Sequence, residues 1–397
     1  MRVLILNADY PRFLSWLYRS QPELAHASYQ VQMAARNASM FGVADFYSRG
    51  FCELGHQAAE IHVNNSWMQS TWARENGLEI EAPTPPGVST ERRRPPDWLQ
   101  RLARPFKPML RPLARRVGLS PQLDAQAQRI LLAQIEAFRP DLVLNQDTFH
   151  IDTALMWRIK AIGNPILIGQ IGLQPTKGED WTVYDLMISQ LPTVVQSFHR
   201  LGVAAEVNHL AFAPDILRTL SSHPEPDIDV SFVGTVSIDH QQRIALLEAV
   251  ARRYDLKLWG NRPSSLPASS PLHRCFQGEV WGADMYRVLQ RSRITLNSHI
   301  DLAGREAGNM RLFEATGVGT FLLTDYKDNL DTLFAPGQEV SVWRSPDDCI
   351  ETIDRYIRDD AARKAIAEAG QSRTMKQHTY GHRVREILEL AEKRAKS

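Results

Sequence analysis

Residues 305–325 read REAGNMRLFEATGVGTFLLTD and combine two acids, a flexible turn and an apolar run. Gly308 and Asn309 interrupt the helical pattern, so Glu306 is predicted in a loop and Glu314 in the helix that follows. The apolar run GTFLLTD at the end is typical of a parallel strand that is buried on both faces. A loop, a helix and a buried strand in this order indicate an α/β protein with a parallel sheet.

Short apolar runs alternate with longer amphipathic segments along most of the chain, which is the rhythm of a doubly wound sheet. Strands are predicted at 2–6, 57–63, 141–147, 165–171 and 185–189, and in a second series at 229–234, 256–260, 293–297 and 319–325. Helices are predicted at about 28–54, 121–138, 151–161, 191–201, 239–253, 282–291, 309–316 and 346–358. The two series indicate two Rossmann-like halves.

The chain is long enough for two domains, and the second series of strands begins after the linker-like SSHPEPD at 221–227. We therefore expect an N-terminal domain at 1–220 and a C-terminal domain at 221–375. A last helix, at 376–397, is expected to pack back on the N-terminal domain. Residues 82–118 are rich in proline and basic residues and indicate an insertion.

Composition excludes several classes of protein. The net charge is +1, which gives no global attraction to nucleic acid. The apolar core of the first residues is shorter than that of a signal peptide, and no apolar stretch approaches the roughly 20 residues of a membrane span. The cysteines are odd in number and scattered, which fits a reducing compartment: Cys52, Cys275 and Cys349. We expect a cytoplasmic protein without a nucleic-acid partner.

The second half carries three features that a parallel sheet would bring to one edge, because ligands of such sheets bind at the carboxyl ends of the strands. Gly234 and Thr235 follow the strand DVSFVG, and Arg243 lies early in the next helix. The stretch GEVWGADM precedes another helix, and its first backbone groups are expected to frame a flat base: Gly278, Glu279 and Val280. The third feature is the turn within 305–325.

The backbone amides of this turn, at a helix N-terminus, are expected to bind an anion: Gly308, Asn309 and Met310. A nucleotide diphosphate-sugar explains why two acids flank them. Arg243 and Arg311 would neutralise the diphosphate. Glu314 would accept hydrogen bonds from the ribose hydroxyls, and Glu306 from the sugar hydroxyls, since a carboxylate suits a vicinal diol.

Two polar residues of the first half follow predicted strands. His150, in NQDTFHID, is a candidate for contact with the donor sugar or the acceptor, and Asp9 is a candidate facing the acceptor. A capping or core histidine and an ordinary turn residue are the respective alternatives. The Asp-x-Asp sequence at 227–229 precedes a strand, which is the wrong end for a donor site. Because no histidines share ligand spacing on one face, no metal site is expected.

The stretch Arg92–Val117 is basic, with apolar residues at near-helical spacing. Such a segment can lie on an anionic membrane surface at the inner face or hold a phosphorylated acceptor. Three prolines would break it into short pieces, so a solvated insertion is the alternative.

The second half resembles the glycosyl-transferase-like domain of CgeB-type proteins and, more distantly, retaining family-4 glycosyltransferases of the GT-B fold. The matching pieces are DVSFVG with the later arginine, the Glu–seven–Glu spacing in EAGNMRLFE, EATGVGTFLLTD, LFAPGQEV and HTYGHRVREIL. In the first half, YSRGFCELGHQAAEIHVNN and YDLMISQLPTVVQSFHRLGVAAEVNHLAFAP are also similar. The resemblance therefore covers most of the chain.

This resemblance implies two Rossmann-like domains facing an interdomain cleft, with the donor on the C-terminal domain and the acceptor on the N-terminal one. It also implies a metal-independent enzyme of the hexosyltransferase type. One departure concerns the cation pair of family-4 enzymes, in which a lysine follows the arginine. No lysine closely follows Arg243, and Arg311 is our candidate for the second cation.

We therefore expect a glycosyltransferase that moves a sugar from a nucleotide diphosphate-sugar, with UDP-sugar favoured, to a hydroxyl of a carbohydrate, protein or lipid-linked acceptor. The resemblance indicates retention of anomeric configuration. A GT-B nucleotide-sugar epimerase and a non-catalytic sugar-nucleotide-binding or coat-assembly protein are the alternatives. A dinucleotide dehydrogenase is disfavoured, because no G-x-G-x-x-G follows the first strand of either half.

Overall fold

The structure is a computed structural model of the 397-residue chain. It describes residues 1–80, 122–220, 225–237, 240–261, 266–300 and 304–395. The predicted insertion at 82–118, with its basic segment, lies outside the described residues.

The first sheet has six strands in the order β2-β1-β3-β4-β5-β6. Its strands are β1 (Arg2–Asn7), β2 (Gln57–His62), β3 (Leu142–Asn145), β4 (Ile166–Gln170), β5 (Leu186–Ser189) and β6 (Ala205–Val207). The first five confirm the predicted strands. The sixth was not predicted, because it has only three residues and two of them are exposed.

Eight α-helices accompany this sheet in the described part of the first half. They are α1 (Pro11–Ser20), α2 (Tyr29–Ala38), α3 (Phe46–Glu53), α4 (Ser66–Glu75), α5 (Ala125–Phe138), α6 (Thr153–Lys160), α7 (Pro192–Arg200) and α8 (Asp215–Leu220). The single helix predicted at 28–54 is wrong. Met40, Gly42 and Ala44 have φ of 59°, 63° and 41°, and left-handed residues cannot continue a right-handed helix.

The second sheet has six strands in the order β12-β11-β10-β7-β8-β9. They are β7 (Ile228–Val233), β8 (Leu256–Trp259), β9 (Phe276–Gly278), β10 (Ser292–Asn297), β11 (Phe321–Asp325) and β12 (Ser341–Trp343). The four predicted strands are confirmed as β7, β8, β10 and β11. The central strand β10 pairs in parallel with β7 and β11, so the loops after these three strands lie at one edge.

Eight α-helices accompany the second sheet among the described residues. They are α9 (Gln241–Arg253), α10 (Leu272–Cys275), α11 (Gly282–Gln290), α12 (Met310–Gly317), α13 (Leu330–Leu333), α14 (Pro346–Arg358), α15 (Asp360–Gln377) and α16 (Tyr380–Ala395). The core of this sheet is built from the predicted apolar runs, with Val230, Leu258, Leu296 and Leu323 buried together. Burial of these side chains is the main stabilising contribution to the sheet.

The chain forms two compact units. The first comprises Met1–Ala35, His56–Gln170 and Thr176–Asp185, and the second comprises Arg36–Gly55, Ile171–Pro175 and Leu186–Ser397. The boundary expected at residue 220 falls between the two sheets, and the division into domains at that point stays a prediction. Within the second unit, α16 packs against α3. No helix in the described part of the chain combines the length and the apolar character that a membrane span needs.

Candidate functional site

The candidate site lies in the second unit, at the carboxyl edge of the second sheet. Gly234 and Thr235 follow β7, as predicted, and residues 298–300 follow β10. Parallel pairing of β7 with β10 places these loops side by side. The site is therefore built from neighbouring loops on one rigid sheet.

Arg243, in the first turn of α9, is buried and turns back towards this edge. Its Nη1 donates to the carbonyl oxygen of Thr235 at 2.7 Å, and its Nη2 donates to that of Ser298 at 2.6 Å. The guanidinium also lies 5.6 Å from the ring centroid of Phe232. Arg243 is therefore not a solvated cation of the helix surface but a fixed positive charge that joins the residues after β7 and β10.

The predicted anion-binding turn, 308–310, consists of the two residues before α12 and the first residue of that helix, Met310. Asn309 is the N-cap residue, and its side chain exchanges hydrogen bonds with Asn297, at 2.7 and 3.1 Å. The Gly308 amide donates to His299 Nε2 at 3.2 Å, so it already has an acceptor. The amides of Asn309 and Met310 donate to no other described residue. These two amides, at the positive end of the helix dipole, are the ones suited to an anion.

Gly308 packs closely against a neighbouring side chain. A Cβ atom added there would lie 2.8 Å from Gln190 Cγ, closer than real Cβ atoms approach. A residue larger than glycine would therefore displace the turn or Gln190. The close approach of Gln190 therefore favours glycine, which has no Cβ atom, at this position.

Glu306 lies in the loop before α12, as predicted, and contacts the start of α7. Its carboxylate accepts hydrogen bonds from the backbone amide of Thr193 at 3.0 and 3.3 Å and from the Thr193 hydroxyl at 2.6 Å. The next residue, Ala307, exchanges backbone hydrogen bonds with the side chain of Asn329, at 2.6 and 3.1 Å. The loop is therefore held at two successive residues.

Glu314 lies within α12, as predicted, and is buried. Arg311 Nη1 is 3.0 Å from its carboxylate, and Arg311 Nη2 donates to the Val233 carbonyl at 3.2 Å. Burial and then the negative charge of Glu314 raise the pKa of Tyr286 well above its ordinary value, so Tyr286 stays protonated. Arg311 thus connects Glu314 with the end of β7, where Gly234 follows.

The predicted base-framing stretch begins at the last residue of β9, Gly278. Gly260, at the end of the neighbouring strand, donates its amide to the Gly278 carbonyl at 3.0 Å. A Cβ atom on Gly260 would lie 2.1 Å from the Gly234 carbonyl oxygen, and its φ of 145° also favours glycine. Glu279 is exposed and Val280 is half-buried. The structure therefore brings the Gly234 and Gly278 loops together.

His150 and Asp9 lie in the first unit, after β3 and β1. His150 Nδ1 is 2.7 Å from Asp147 Oδ2, and its side chain is 29% exposed. Asp9 Oδ2 is 3.2 Å from Nδ1 of the buried His62, and the Asp9 side chain is only 1% exposed. A carboxylate without access to solvent is poorly placed to take a proton from an acceptor. His150 is therefore the accessible residue of the two.

The sequence analysis missed three polar residues at the centre of the site: Asn297, His299 and Asp325. His299 Nδ1 is 2.7 Å from Asp325 Oδ1, and the His299 backbone amide also donates to this carboxylate. Burial raises the pKa of Asp325, but hydrogen bonds from the ring and the backbone amide of His299 and the charge of Lys327 outweigh it, so the pKa is lowered. The available signal was that two strands of the second half end in a polar residue, β10 in Asn297 and β11 in Asp325. No group of three metal-ligating side chains occurs within the described residues.

A family model described as glycosyl transferase-like matches residues 242–389. The matched segment contains Arg243, Asn297, His299 and the whole stretch from Glu306 to Glu314. A search of curated proteins with the sequence finds no match.

Several solved structures are similar to the chain over nearly its whole length. A glycosyltransferase from Rickettsia africae ESF-5 has a TM-score of 0.58 at 11% identity, covering 100% of this chain and 99% of that one. Anabaena Alr3699/HepE, solved in complex with UDP-glucose, has a TM-score of 0.58 at 12% identity, covering 99% and 100%. Sucrose-phosphate synthase from Thermosynechococcus elongatus has a TM-score of 0.57 at 10% identity, covering 99% and 98%. With its two six-stranded parallel sheets and flanking helices, the chain has the α/β architecture of GT-B glycosyltransferase structures.

Proposed function

We propose that the protein is a glycosyltransferase that moves a sugar from a nucleotide diphosphate-sugar to an acceptor hydroxyl. The observation that carries this proposal is the position of Arg243. Its buried guanidinium is fixed at the same sheet edge as the amides of Asn309 and Met310, which donate to no other residue that the structure describes. Fixed donors aimed at a leaving diphosphate stabilise the charge that develops on it in the transition state. The family model over 242–389 and the GT-B fold support the same reaction class.

In this proposal the diphosphate lies on the amides, the base lies against Gly278–Val280, and Glu314 accepts hydrogen bonds from the ribose. Glu314 is already paired with Arg311. Each carboxylate oxygen has two lone pairs, so an oxygen that accepts one hydrogen bond can still accept a second. The same argument lets Glu306 hold the donor sugar while it contacts Thr193.

UDP is the nucleotide we favour, because the similarly folded HepE was solved with UDP-glucose. We further propose a hexose as the transferred sugar and a reaction that needs no metal, with Arg243, Arg311 and the amides neutralising the diphosphate. Activity is then expected to persist in EDTA.

We propose retention of anomeric configuration. The departing diphosphate oxygen can itself take the acceptor proton in a front-face reaction, so no separate general base is required. The burial of Asp9 supports this proposal, because it removes one of the two candidate bases of the first half from solvent.

The acceptor is proposed to be a carbohydrate, a protein or a lipid-linked sugar that binds to the first half of the chain, where His150 is the candidate contact. A peripheral membrane contact through Arg92–Val117 stays a prediction, and co-sedimentation with anionic vesicles at low salt tests it.

A thermal-shift panel of UDP, GDP, ADP, CMP and dTDP sugars tests the function, since a ligand that binds the folded protein raises its apparent stability. We expect one nucleotide class, UDP, to raise the melting temperature and its sugar to be consumed with an acceptor. Conversion of the UDP-sugar without acceptor would indicate an epimerase. Binding without any turnover would indicate a non-catalytic protein, and no binding would contradict the proposal.

A further inference from the structure

His299 occupies the centre of the candidate site, two residues after β10, and is 4% exposed. Its ring contacts two different elements. Nδ1 is 2.7 Å from Asp325, the last residue of β11, and Nε2 accepts the Gly308 amide at 3.2 Å. One imidazole therefore connects the end of β11 with the turn that precedes α12.

These contacts define the proton arrangement of the ring. A backbone amide can only donate, so Nε2 of His299 must present its lone pair to Gly308. The ring proton then lies on Nδ1, which donates to the Asp325 carboxylate. Lys327 Nζ, 3.4 Å from the other carboxylate oxygen, favours the ionised form of Asp325. An ionised carboxylate can only accept, so it holds the ring proton on Nδ1 while Nε2 accepts from the Gly308 amide.

The two residues that precede His299 contact other parts of the same site. Asn297 exchanges hydrogen bonds with the side chain of Asn309, and the Ser298 carbonyl accepts from Arg243. Three consecutive residues therefore determine where the turn lies relative to the buried cation. Both ring nitrogens of His299 are hydrogen-bonded, as burial requires, and both partners, the Asp325 carboxylate and the Gly308 amide, belong to the same site.

We propose that His299 and Asp325 are positioning residues of the donor site. Through the Gly308 amide they hold the turn so that the amides of Asn309 and Met310 face the diphosphate of the bound nucleotide. This inference rests on the proposed function for its ligand. It predicts that the acceptor at Nε2, rather than the volume or charge of the ring, is what nucleotide binding requires.

Three variants separate these properties. His299→Leu keeps much of the volume and removes the acceptor. His299→Gln places an amide oxygen near the position of Nε2, where it can accept from Gly308. Asp325→Asn can donate to Nδ1, which would move the ring proton to Nε2 and set two donors against each other. His273→Gln, at an exposed histidine outside the site, is the matched control.

Two readouts are measured on the full-length protein: calorimetric titration with UDP, and deuterium exchange of the peptide that contains Gly308. We expect His299→Leu to weaken UDP binding roughly tenfold and to speed exchange at Gly308 by a similar factor, the effect of about one lost hydrogen bond. His299→Gln should retain most of the UDP affinity and most of the protection of Gly308 from exchange. Asp325→Asn should resemble His299→Leu in both readouts, and His273→Gln should match the wild type. If His299→Leu fails to fold, the comparison is made between Asp325→Asn and His299→Gln in the same two readouts.

Unchanged exchange at Gly308 in a folded His299→Leu or Asp325→Asn variant would overturn the inference alone. Faster exchange with unchanged UDP affinity would also overturn it, because the turn would then be held for another reason. If the wild type binds neither UDP nor any other nucleotide of the panel, the result would instead contradict the proposed function. The ligand assigned to the turn would then also be wrong.

Discussion

Glu306 caps helix α7 through Thr193, a residue 113 positions earlier in the chain. The N-cap residue, Leu191, offers no side-chain acceptor, and the Glu306 carboxylate accepts from the first-turn amide instead. A carboxylate at a helix N-terminus is also favoured by the helix dipole. Glu306 therefore has a structural contact in addition to the sugar contact that we propose.

The two roles of Glu306 can be separated with Thr193→Val, which removes the hydroxyl donor and keeps the side-chain shape. Glu306→Ala is expected to lower the free energy of unfolding by about 1 kcal/mol, as loss of a helix cap does. Thr193→Val keeps the capped amide and should lower it by about 1 kcal/mol or less through loss of the hydroxyl hydrogen bond. Only Glu306→Ala should also lower kcat, by roughly tenfold or more. Denaturant unfolding and steady-state kinetics measure the two effects. If Glu306→Ala loses stability and keeps full turnover, Glu306 is a cap alone.

Arg243→Ala is expected to lower kcat more than it raises the KM for the donor, by roughly 100-fold against a few-fold, because the charge on the diphosphate grows in the transition state. Arg253→Ala is the matched control, since Arg253 lies in the same helix, is 55% exposed and pairs with Asp354. It should behave as the wild type in kinetics. Unchanged kinetics in Arg243→Ala would remove this residue from the site.

The stability of the protein should fall as the pH decreases from about 6.5 to about 4. Burial, and then the charge of Arg383, lowers the pKa of His209 to about 4. Burial also lowers the pKa of His378 to about 4, against an ordinary value of 6.5, although its hydrogen bond with the Leu333 carbonyl acts in the opposite direction. The unfolded chain therefore binds more protons than the folded one in this range, and its population rises as the pH falls.

Urea unfolding at pH 7 and pH 5 measures this dependence. His378→Gln, which cannot take up a proton, should reduce the loss of unfolding free energy between the two pH values by on the order of 1 kcal/mol. The same pH dependence in His378→Gln and in the wild type would show that His378 does not contribute to it.

Several of the strands that the sequence predicted contain a short apolar run, such as VLIL in β1, LVL in β3 and FLL in β11. Burial on both faces of a parallel sheet favours that pattern. The strands β6, β9 and β12 have three residues each and are defined by pairing with a neighbour, which leaves little trace in composition. The failed helix at 28–54 has a similar cause, since the positive φ of Met40 and Ala44 is unusual for these residue types.

The candidate site was predictable where its residues are close in the chain. The placement of Glu306 in a loop and of Glu314 in a helix follows from the glycine and asparagine between them. The contact of Glu306 with Thr193 was not predictable, because 113 residues separate the two. The roles of His299 and Asp325 depend on the pairing of β10 with β11, which sequence spacing does not define.

Retention of anomeric configuration is expected for the product. Proton NMR of the fresh product gives the configuration of the new linkage relative to the donor. His150→Gln should leave this outcome unchanged and lower the rate by less than tenfold, because no protein base is required in the proposed reaction. An inverted product, together with loss of activity in His150→Gln, would contradict the mechanism and identify His150 as the base.

The central claim is that the carboxyl edge of the second sheet binds the nucleotide of the donor, and calorimetric titration with UDP tests it most directly. The wild type should bind UDP in EDTA. Glu314→Ala should bind it at least roughly tenfold more weakly, since a charged hydrogen bond to the ribose is lost. Glu206→Ala, at an exposed acid of β6, serves as the control and should bind as the wild type does. Equal UDP affinity in the wild type and a correctly folded Glu314→Ala variant would contradict the account.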